Sequence, residues 1–271
     1  MEPYLADLFV ASAHDQRLRA PGWLLRAYLH LFGPPLMKPL RVRMAERLVK
    51  GRDWRGARVL DVGCGIGDLG FRLAARGADV VGVELDAAKV AYASRVRDRW
   101  DFRNLRFIAG DAARLEQLGI GRFDAVFCLA LLEHVEDDAG LLRQIAALLR
   151  PGGLFVLEVP SAARRTIPEV EAADGHTRPG YHAWKVEVLL AAAGLRLAGA
   201  CSLDPLGLSY YWWRCSLPGG RVDRWLYTAL APLFQTLIRL TSAVINRPGS
   251  ELCFLAVRDE ADDALGEEPA C

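Results

Sequence analysis

The sequence predicts an α/β fold in which helices flank both faces of a doubly wound, mostly parallel sheet. From residue 58 onward, short apolar runs alternate with helical patterns, which is typical of a parallel sheet. The runs are rich in Val, Leu, Ile and Phe, as expected of strands that are buried on both faces. A glycine-rich turn, "VGCGIG", follows the first run, at the end of the strand where such sheets bind their ligands.

The individual elements follow in order along the chain. Strands are predicted at residues 58–62, 79–85, 105–110, 123–129, 152–160, 195–203 and 251–259. Helical patterns cover residues 68–77, 87–100, 139–153 and 183–194. Several of these patterns end in Gly or Pro-Gly, which are expected helix stop signals.

Three segments lie outside the alternation. Residues 1–50 look helical and basic, residues 204–250 form an apolar helical insertion, and the end of the chain is acidic. The predicted organisation is a helical cap (1–50), a ligand-binding core (51–203), a helical lid (204–250), a last core strand (251–258) and a disordered acidic tail (259–271).

Composition narrows the class of protein. Hydrophobic residues make up 52% of the 271 residues, enough for a sizeable core, and the net charge of +1 implies no nucleic-acid partner. The six cysteines have neither CxxC nor zinc spacing, and the N-terminus lacks the basic start of a secretory signal. We therefore expect a cytoplasmic protein, and the sequence leaves the oligomeric state open.

The spacing of the glycine turn is compatible with more than one kind of ligand. Gly65, Gly67 and Gly70 form a literal GxGxxG, and Glu84 follows Gly65 by nineteen positions, which is the dinucleotide fingerprint. Gly63, Gly65 and Gly67 would equally let the backbone approach a different ligand closely. Spacing alone therefore leaves NAD and other ligands open.

Acidic residues at three strand ends favour a cationic ligand. Asp61, Glu84 and Asp111 should all fall at the carboxyl edge of the sheet, where they would repel a pyrophosphate. S-adenosylmethionine carries an ammonium, a sulfonium, a ribose diol and an adenine amine. Asp61 can face the ammonium, Glu84 can accept both ribose hydroxyls, and Asp111 can accept from the adenine amine.

Five motifs carry a family resemblance. "VLDVGCGIGDLG", "VVGVELD", "GDAARL", "FDAVFCLALLEHVED" and "LRPGGLFVLEVP" resemble, in this order, the motif series of class I S-adenosylmethionine-dependent methyltransferases. The resemblance implies a Rossmann-like sheet of seven strands with an antiparallel last strand, and it makes the literal GxGxxG a coincidence of Gly70. The predicted cofactor-binding residues are Asp61, Gly63, Cys64, Gly65, Gly67, Glu84, Leu85, Asp111, Ala112 and Cys128.

The main hypothesis is therefore methyl transfer from S-adenosylmethionine to an oxygen atom of a small molecule. Two alternatives remain at this point: an NAD-dependent oxidoreductase and a cofactor-binding protein without catalysis.

Two histidines are candidate catalytic residues. His134 lies after the fourth strand in "LLEHVED", and His176 lies on the loop after the fifth strand in "GHTRPGYHAW". Each imidazole is a candidate general base, and a purely structural role is the alternative. "ALLEHV" also resembles the "E-x-L-E-H-V" of ubiquinone-pathway O-methyltransferases, in which two glutamates and the histidine bind a divalent metal. Because Ala130 replaces the first glutamate, we predict no required metal.

The two apolar segments suggest a bulky or lipophilic acceptor. Residues 225–245 have the length of a membrane span, but Pro232 interrupts them and the chain must return to the same sheet, so a span is not expected. We expect both segments to pack together as a cover over the carboxyl edge. The alternative is weak association with anionic membranes through the basic, aromatic N-terminal helices.

Overall fold

The computed structural model describes residues 2–15, 21–32, 38–164, 175–208, 224–244 and 249–259. Its strands are β1 (Arg58–Val62), β2 (Asp79–Glu84), β3 (Leu105–Ala109), β4 (Phe123–Leu129), β5 (Leu149–Pro160), β6 (Leu195–Leu203) and β7 (Glu251–Arg258). Its α-helices are α1 (Pro3–Asp15), α2 (Gly22–Phe32), α3 (Lys38–Leu48), α4 (Asp68–Ala74), α5 (Ala87–Arg99), α6 (Asp138–Leu148), α7 (Ala183–Ala192) and α8 (Arg224–Val244).

All seven strands form one sheet with the order β3-β2-β1-β4-β5-β7-β6. The pairs among β1 to β5 are parallel, and β7 runs antiparallel between β5 and β6. The predicted fold class, including the antiparallel last strand, is confirmed. The strand order reverses between β1 and β4, so the loops after these strands diverge and leave a crevice at the carboxyl edge.

Alternating side chains divide the core between the two faces of the sheet. Val59, Ala125 and Phe127 face a cluster with α1, α3, α4 and α5. Leu60 and Val126 face the second cluster, which includes residues of α6 and α7. This period of two within almost fully buried strands explains why the predicted strands were continuous apolar runs.

The N-terminal helices do not occupy the position that we predicted. α3 contacts β5, β6 and β7, while α1 packs against α4 and α5, with Tyr4 stacking on Phe71 at 5.8 Å. The prediction that residues 1–50 cover the carboxyl edge is therefore wrong for α1 and α3. The physical reason is that α6 and α7, the helices after β4 and β5, both pack on the face of the second core cluster. They leave the opposite face of β5, β6 and β7 without a helix, and the apolar side of α3 covers it.

The described part of residues 204–250 also differs from the predicted lid. α8 contacts β6, and Ser242 Oγ accepts a hydrogen bond from Asp204 N at 3.0 Å, just beyond the end of β6. β6 is at the opposite border of the sheet from β2 and β3, so this contact places the end of α8 away from Glu84 and Asp111, which we expected it to cover. Among the described residues, no helix is long and apolar enough to span a membrane. The acidic tail predicted after Asp259 lies outside the described residues.

Candidate active site

The glycine loop connects β1 to α4 and forms the floor of the crevice. Gly63 and Cys64 donate backbone hydrogen bonds to Val83 O at 2.8 and 3.0 Å, which fixes the loop against β2. Gly63, Gly65 and Gly67 have φ values of 72°, 57° and 87°, a region that favours glycine. A Cβ on Gly67 would lie 2.5 Å from Phe107 Cζ, so this turn also requires glycine for space.

Asp61 is a buried carboxyl group at the end of β1, only 3% exposed. Burial and, to a smaller extent, the nearby carboxylates of Asp68 and Glu84 raise its pKa to about 7, and a hydrogen bond from Gly70 N–H partly opposes them. Its Oδ2 atom is buried and accepts no hydrogen bond from the described residues. A buried acid of this kind at a crevice is the expected partner of a cationic group.

Glu84 and Asp111 lie at the ends of β2 and β3, as predicted. Glu84 accepts hydrogen bonds from Gly65 N at 2.9 Å and from Asp86 N at 3.1 Å, so it holds the glycine loop against the end of β2. Asp111 is exposed and accepts from Ala113 N at 2.9 Å, which caps the 3₁₀ helix Ala112–Leu118. Leu85 follows Glu84, and its side chain is 74% exposed.

The remaining predicted cofactor residues differ in accessibility. Cys64 and Ala112 are half-buried beside Gly65 and Asp111. The thiol of Cys128 is fully buried in the second core cluster, and burial raises its pKa well above the usual range. Any contribution of Cys128 to a ligand site must therefore come from its main chain. Gly70 lies inside α4 and allows this helix to approach β3, because its Cβ would be 3.3 Å from Leu105 Cδ1.

The β4–β5 side of the crevice consists of two segments that the structure joins. The 3₁₀ helix Leu132–His134 follows β4, and residues 175–181 precede α7. Thr177 donates from both its N–H and its Oγ1 to Glu133 O at 2.9 Å. Arg178 binds Asp138 Oδ2 at 2.8 Å, and Tyr181 donates to Leu132 O at 3.2 Å. These bonds fix the loop after β5 against the end of β4.

This joining brings together the two histidines that the sequence identified separately. The rings of His134 and His176 meet edge to face with their centroids 4.6 Å apart. His134 Nδ1 lies 3.2 Å from Gly175 O, and because a carbonyl only accepts, a neutral His134 must carry its proton on Nδ1. Its Nε2 then has the available lone pair. Leu131, whose carbonyl accepts a hydrogen bond from His134 N, would contact a Cβ on Gly63 at 3.1 Å, so the segment after β4 lies against the glycine loop.

Buried charge surrounds the histidine pair. The carboxyl group of Glu133 is 1% exposed, and burial raises its pKa although Arg41 lowers it. Arg41 reaches the carboxyl edge from α3 and lies 3.3 Å from Glu158 and 3.4 Å from Glu251. Burial opposes the charge of Arg41, but the three carboxyl groups outweigh it and raise its pKa. Carboxyl groups therefore dominate this part of the edge.

Sequence reasoning missed several of these residues. One set is the hydrogen-bond network of Arg178, Tyr181 and Asp138, which positions His176. In the sequence, the polar run "HTRPGY" after β5 was the only sign of this network. In the sequence, Arg41 is only one of several basic residues in the segment 1–50, whereas in the structure its side chain is 23% exposed and paired with carboxylates. The roles predicted for the individual site residues remain predictions.

The comparisons with known proteins agree with this site. A family model described as "Methyltransferase domain" matches residues 54–190, just over half of the chain. The stretch includes the glycine loop, the three acidic strand ends and both histidines. The chain belongs to the class I S-adenosylmethionine-dependent methyltransferases. The predictions of an enzyme of this class and of S-adenosylmethionine as its cofactor are confirmed, which removes the support for an NAD-dependent oxidoreductase.

Individual relatives define the similarity more closely. The ubiquinone biosynthesis O-methyltransferase of Xanthomonas axonopodis pv. citri is 35% identical over 219 residues, covering 75% of this chain and 88% of that protein. The enzyme of the same name from Acinetobacter baumannii is 33% identical over 117 residues, 43% of this chain. That match spans only about half (48%) of the Acinetobacter protein.

A solved structure shows the same fold. The geranyl diphosphate C-methyltransferase of Streptomyces coelicolor, in complex with Mg²⁺, geranyl diphosphate and S-adenosylhomocysteine, superposes with a TM-score of 0.59. It is 17% identical, and the similarity covers 82% of this chain and 80% of that one. At this identity the likeness shows the fold, whereas the acceptor and the atom methylated must be argued from this chain's own residues.

Proposed function

We propose that this methyltransferase transfers the methyl group of S-adenosylmethionine to a hydroxyl oxygen of a small, bulky or lipophilic acceptor. The observation that carries the proposal is the pair of imidazoles, His134 and His176, with ring centroids 4.6 Å apart on the segments after β4 and β5, the first of which lies against the glycine loop. The relatives named for O-methylation in ubiquinone biosynthesis support an oxygen acceptor. The predicted cover by α3 and α8 no longer supports a lipophilic acceptor, so that part rests on the relatives.

Residues on the β1–β2–β3 side are proposed to hold the cofactor. The buried Oδ2 of Asp61 would be satisfied by the ammonium group. Glu84 would accept the ribose hydroxyls with the lone pairs that its two backbone contacts leave, and Asp111 would accept from the adenine amine. The exposed side chain of Leu85 would be covered by the adenine ring, which removes apolar surface from water.

Residues on the β4–β5 side are proposed to receive the acceptor. The bound cofactor supplies a methyl group already activated by its sulfonium, so positioning can provide much of the rate. A hydroxyl acceptor must still lose its proton, and an imidazole within reach is suited to accept it. The hydrogen bond from His134 Nδ1 to Gly175 O directs the basic lone pair to Nε2. His176 lies against this ring and is the second candidate.

The test uses purified protein, S-adenosylmethionine with a labelled methyl group, and alkyl-substituted phenols, catechols and matched anilines of increasing chain length. We expect methyl ethers as products, with turnover rising as the chain lengthens. His134→Ala and His176→Ala should each lower kcat by at least about tenfold while leaving S-adenosylhomocysteine affinity unchanged. Labelled products methylated only at nitrogen or carbon would show that the oxygen assignment is wrong.

A further inference from the structure

We infer that Cys201 and Cys253 form an oxidisable dithiol, which a peroxide converts to a reversible disulfide between β6 and β7. The two residues are directly opposed in the antiparallel pairing of these strands. Their side chains therefore point to the same face of the sheet, the face that α3 covers, and a hydrogen bond joins the two thiols. Neither cysteine has a part in the proposed methyl transfer, so the inference is independent of that reaction.

The backbone geometry of the pair suits a disulfide. Directly opposed residues of antiparallel strands have Cα atoms about 4.5–5.5 Å apart. Disulfides join residues whose Cα atoms are about 4.4–6.8 Å apart. The pairing of residues 199–203 with residues 251–255 is continuous, so the register of the two strands holds the cysteines opposite each other. Formation of the bond therefore requires rotation of side chains and no rearrangement of the sheet.

The two thiols differ in exposure and in their electrostatic surroundings. Cys201 is half-buried on β6, the border strand of the sheet, whereas Cys253 is completely buried. The hydrogen bond from Cys253 lowers the pKa of Cys201, burial opposes this change, and the positive charge of Arg47 on α3 supports it.

Cys253 has the opposite tendency. Its hydrogen bond with Cys201, its burial and the nearby charges of Cys201 and Glu158 raise its pKa well above the usual range. Glu158 is opposed to Cys253 on the other neighbouring strand, β5. Since the thiolate is the form that reacts with oxidants, Cys201 is the thiol that reacts first and Cys253 is the thiol that completes the disulfide.

The oxidation consists of two steps that balance with hydrogen peroxide as the oxidant. The sulfur of Cys201 attacks one peroxide oxygen, an S–O bond forms as the O–O bond breaks, and the departing hydroxide takes the thiol proton and becomes water. The sulfur of Cys253 then attacks the sulfur of the sulfenic acid, an S–S bond forms as the S–O bond breaks, and the second hydroxide leaves as water with the proton of Cys253. Together the two thiols lose two electrons, and the peroxide gains them.

The other cysteines that the structure describes lack this arrangement. Cys64 lies in the glycine loop, outside the strands. Cys128 is opposed to Val62 on one side and to Leu157 on the other, so its neighbours across the sheet are apolar residues. Within the described ranges, Cys201 and Cys253 are the two cysteines that face each other on adjacent strands, and oxidation should select them.

Mapping of the oxidised bond in the full chain tests the inference. Reduced protein is freed of reductant and treated with a small excess of hydrogen peroxide, its remaining thiols are alkylated after denaturation, and its peptides are analysed by mass spectrometry. We expect the six thiols of the chain to fall by two. We also expect a peptide pair linked through Cys201 and Cys253, which dithiothreitol separates, in a protein that still migrates as a single chain on a non-reducing gel.

Variants of the pair test the order of the two steps. Cys201→Ser should abolish the linked peptides and slow the loss of thiols at least about tenfold, because the more readily ionised thiol is gone. Cys253→Ala should leave Cys201 as a sulfenic acid, which dimedone labels. S-adenosylhomocysteine binding checks that each variant is folded. If Cys253→Ala does not fold, Cys201→Ser alone decides, because it alters only a half-buried side chain.

Matched variants control for the remaining thiols. Cys215→Ser and Cys271→Ser change the two cysteines outside the described residues, and each protein should form the same linked peptides as the unaltered chain. A disulfide that joins other cysteines or two separate chains would overturn the inference. Loss of thiols at an equal rate in Cys201→Ser and in the unaltered protein would do the same.

Discussion

At the scale of single residues, Asp61 links the cofactor site to the stability of the fold. Its pKa in the folded protein is about 7, above its ordinary value of 3.8, because burial penalises the charged form. An acid whose folded pKa is raised destabilises the protein when it ionises. The penalty is absent below about pH 4, grows between pH 4 and 7, and reaches about 4 kcal/mol above pH 7 at 1.36 kcal/mol per pKa unit.

We therefore expect Asp61→Asn to stabilise the ligand-free protein by about 1–4 kcal/mol at pH 8 and to have little effect near pH 4. The same substitution should weaken S-adenosylhomocysteine binding, because the ammonium loses its charged partner. Chemical denaturation at several pH values and calorimetry measure the two effects. An Asp61→Asn protein that is no more stable than the unaltered one at pH 8 would contradict the raised pKa.

Asp124 serves as a control because its pKa in the folded protein is lowered, whereas that of Asp61 is raised. Burial opposes its charge, but hydrogen bonds from Arg58 N and from Arg150 lower its pKa overall. Its stabilising contribution is present above the ordinary pKa of an aspartate and is lost as the pH falls through the lowered value. Asp124→Asn should therefore destabilise the protein at pH 8, where Asp61→Asn stabilises it.

Glu84 is expected to act both on the cofactor and on the loop that holds it. Glu84→Ala removes the proposed ribose acceptor and the partner of Gly65 N–H, so S-adenosylhomocysteine affinity should fall by about 1.5–3 kcal/mol, roughly tenfold to a hundredfold. Glu84→Gln keeps an acceptor oxygen and should lose less. The control is Asp86→Ala, which removes the N-cap of α5 and should cost about 1 kcal/mol of stability without changing affinity. Equal affinity in the Glu84→Ala protein would refute the ribose assignment.

At the scale of elements, the loop before α7 depends on its attachment to the end of β4. Arg178 contacts Asp138, Glu136 O and Tyr181, so it connects three parts of this attachment. A displacement of His176 by about 1 Å would affect the acceptor side while leaving the glycine loop intact.

We expect Arg178→Ala to lower turnover of the acceptor by about tenfold to a hundredfold and to change S-adenosylhomocysteine affinity by less than about twofold. Steady-state kinetics and calorimetry on the same preparation separate the two quantities. Arg143→Ala, which alters a more exposed arginine on α6, should change neither. A parallel loss of cofactor affinity in Arg178→Ala would mean that the network supports the whole crevice instead of the acceptor side.

At the scale of the whole molecule, large apolar side chains remain exposed on α2 and α8. Trp23 and Leu31 on α2 are 71% and 72% exposed, and Leu240 and Val244 on α8 are 59% and 81% exposed. The helices therefore bury only part of their apolar surface against the core. Exposed apolar and aromatic residues near arginines are typical of proteins that attach to anionic membrane surfaces.

We expect weak, salt-sensitive sedimentation of the protein with vesicles that contain anionic lipid, and less with neutral vesicles. Replacing Trp23 and Leu31 together with Ala should reduce the bound fraction. Trp184→Ala, which removes a 64% exposed tryptophan on α7, serves as the matched control. If sedimentation is the same with and without anionic lipid, the exposed residues have another role.

The sequence by itself determined the sheet and the cofactor side of the site. Runs of buried strand residues and Gly-ended helices have local signatures, and the acids Asp61, Glu84 and Asp111 directly follow or end their strands. Because parallel strands end at one edge, position along the chain was enough to predict that these residues meet. The family motifs added the antiparallel β7, which local patterns cannot predict.

Only the tertiary structure decided the acceptor side and the position of the helices. His176 is separated from His134 by α6, the whole of β5 and a loop. The two rings meet only in the folded chain, where Thr177, Arg178 and Tyr181 hold the loop against the end of β4. α3 covers a sheet face because α6 and α7 both lie on the other one, a consequence of crossover geometry. The raised pKa of Asp61 likewise depends on burial and neighbouring charges, which exist only after the chain has folded.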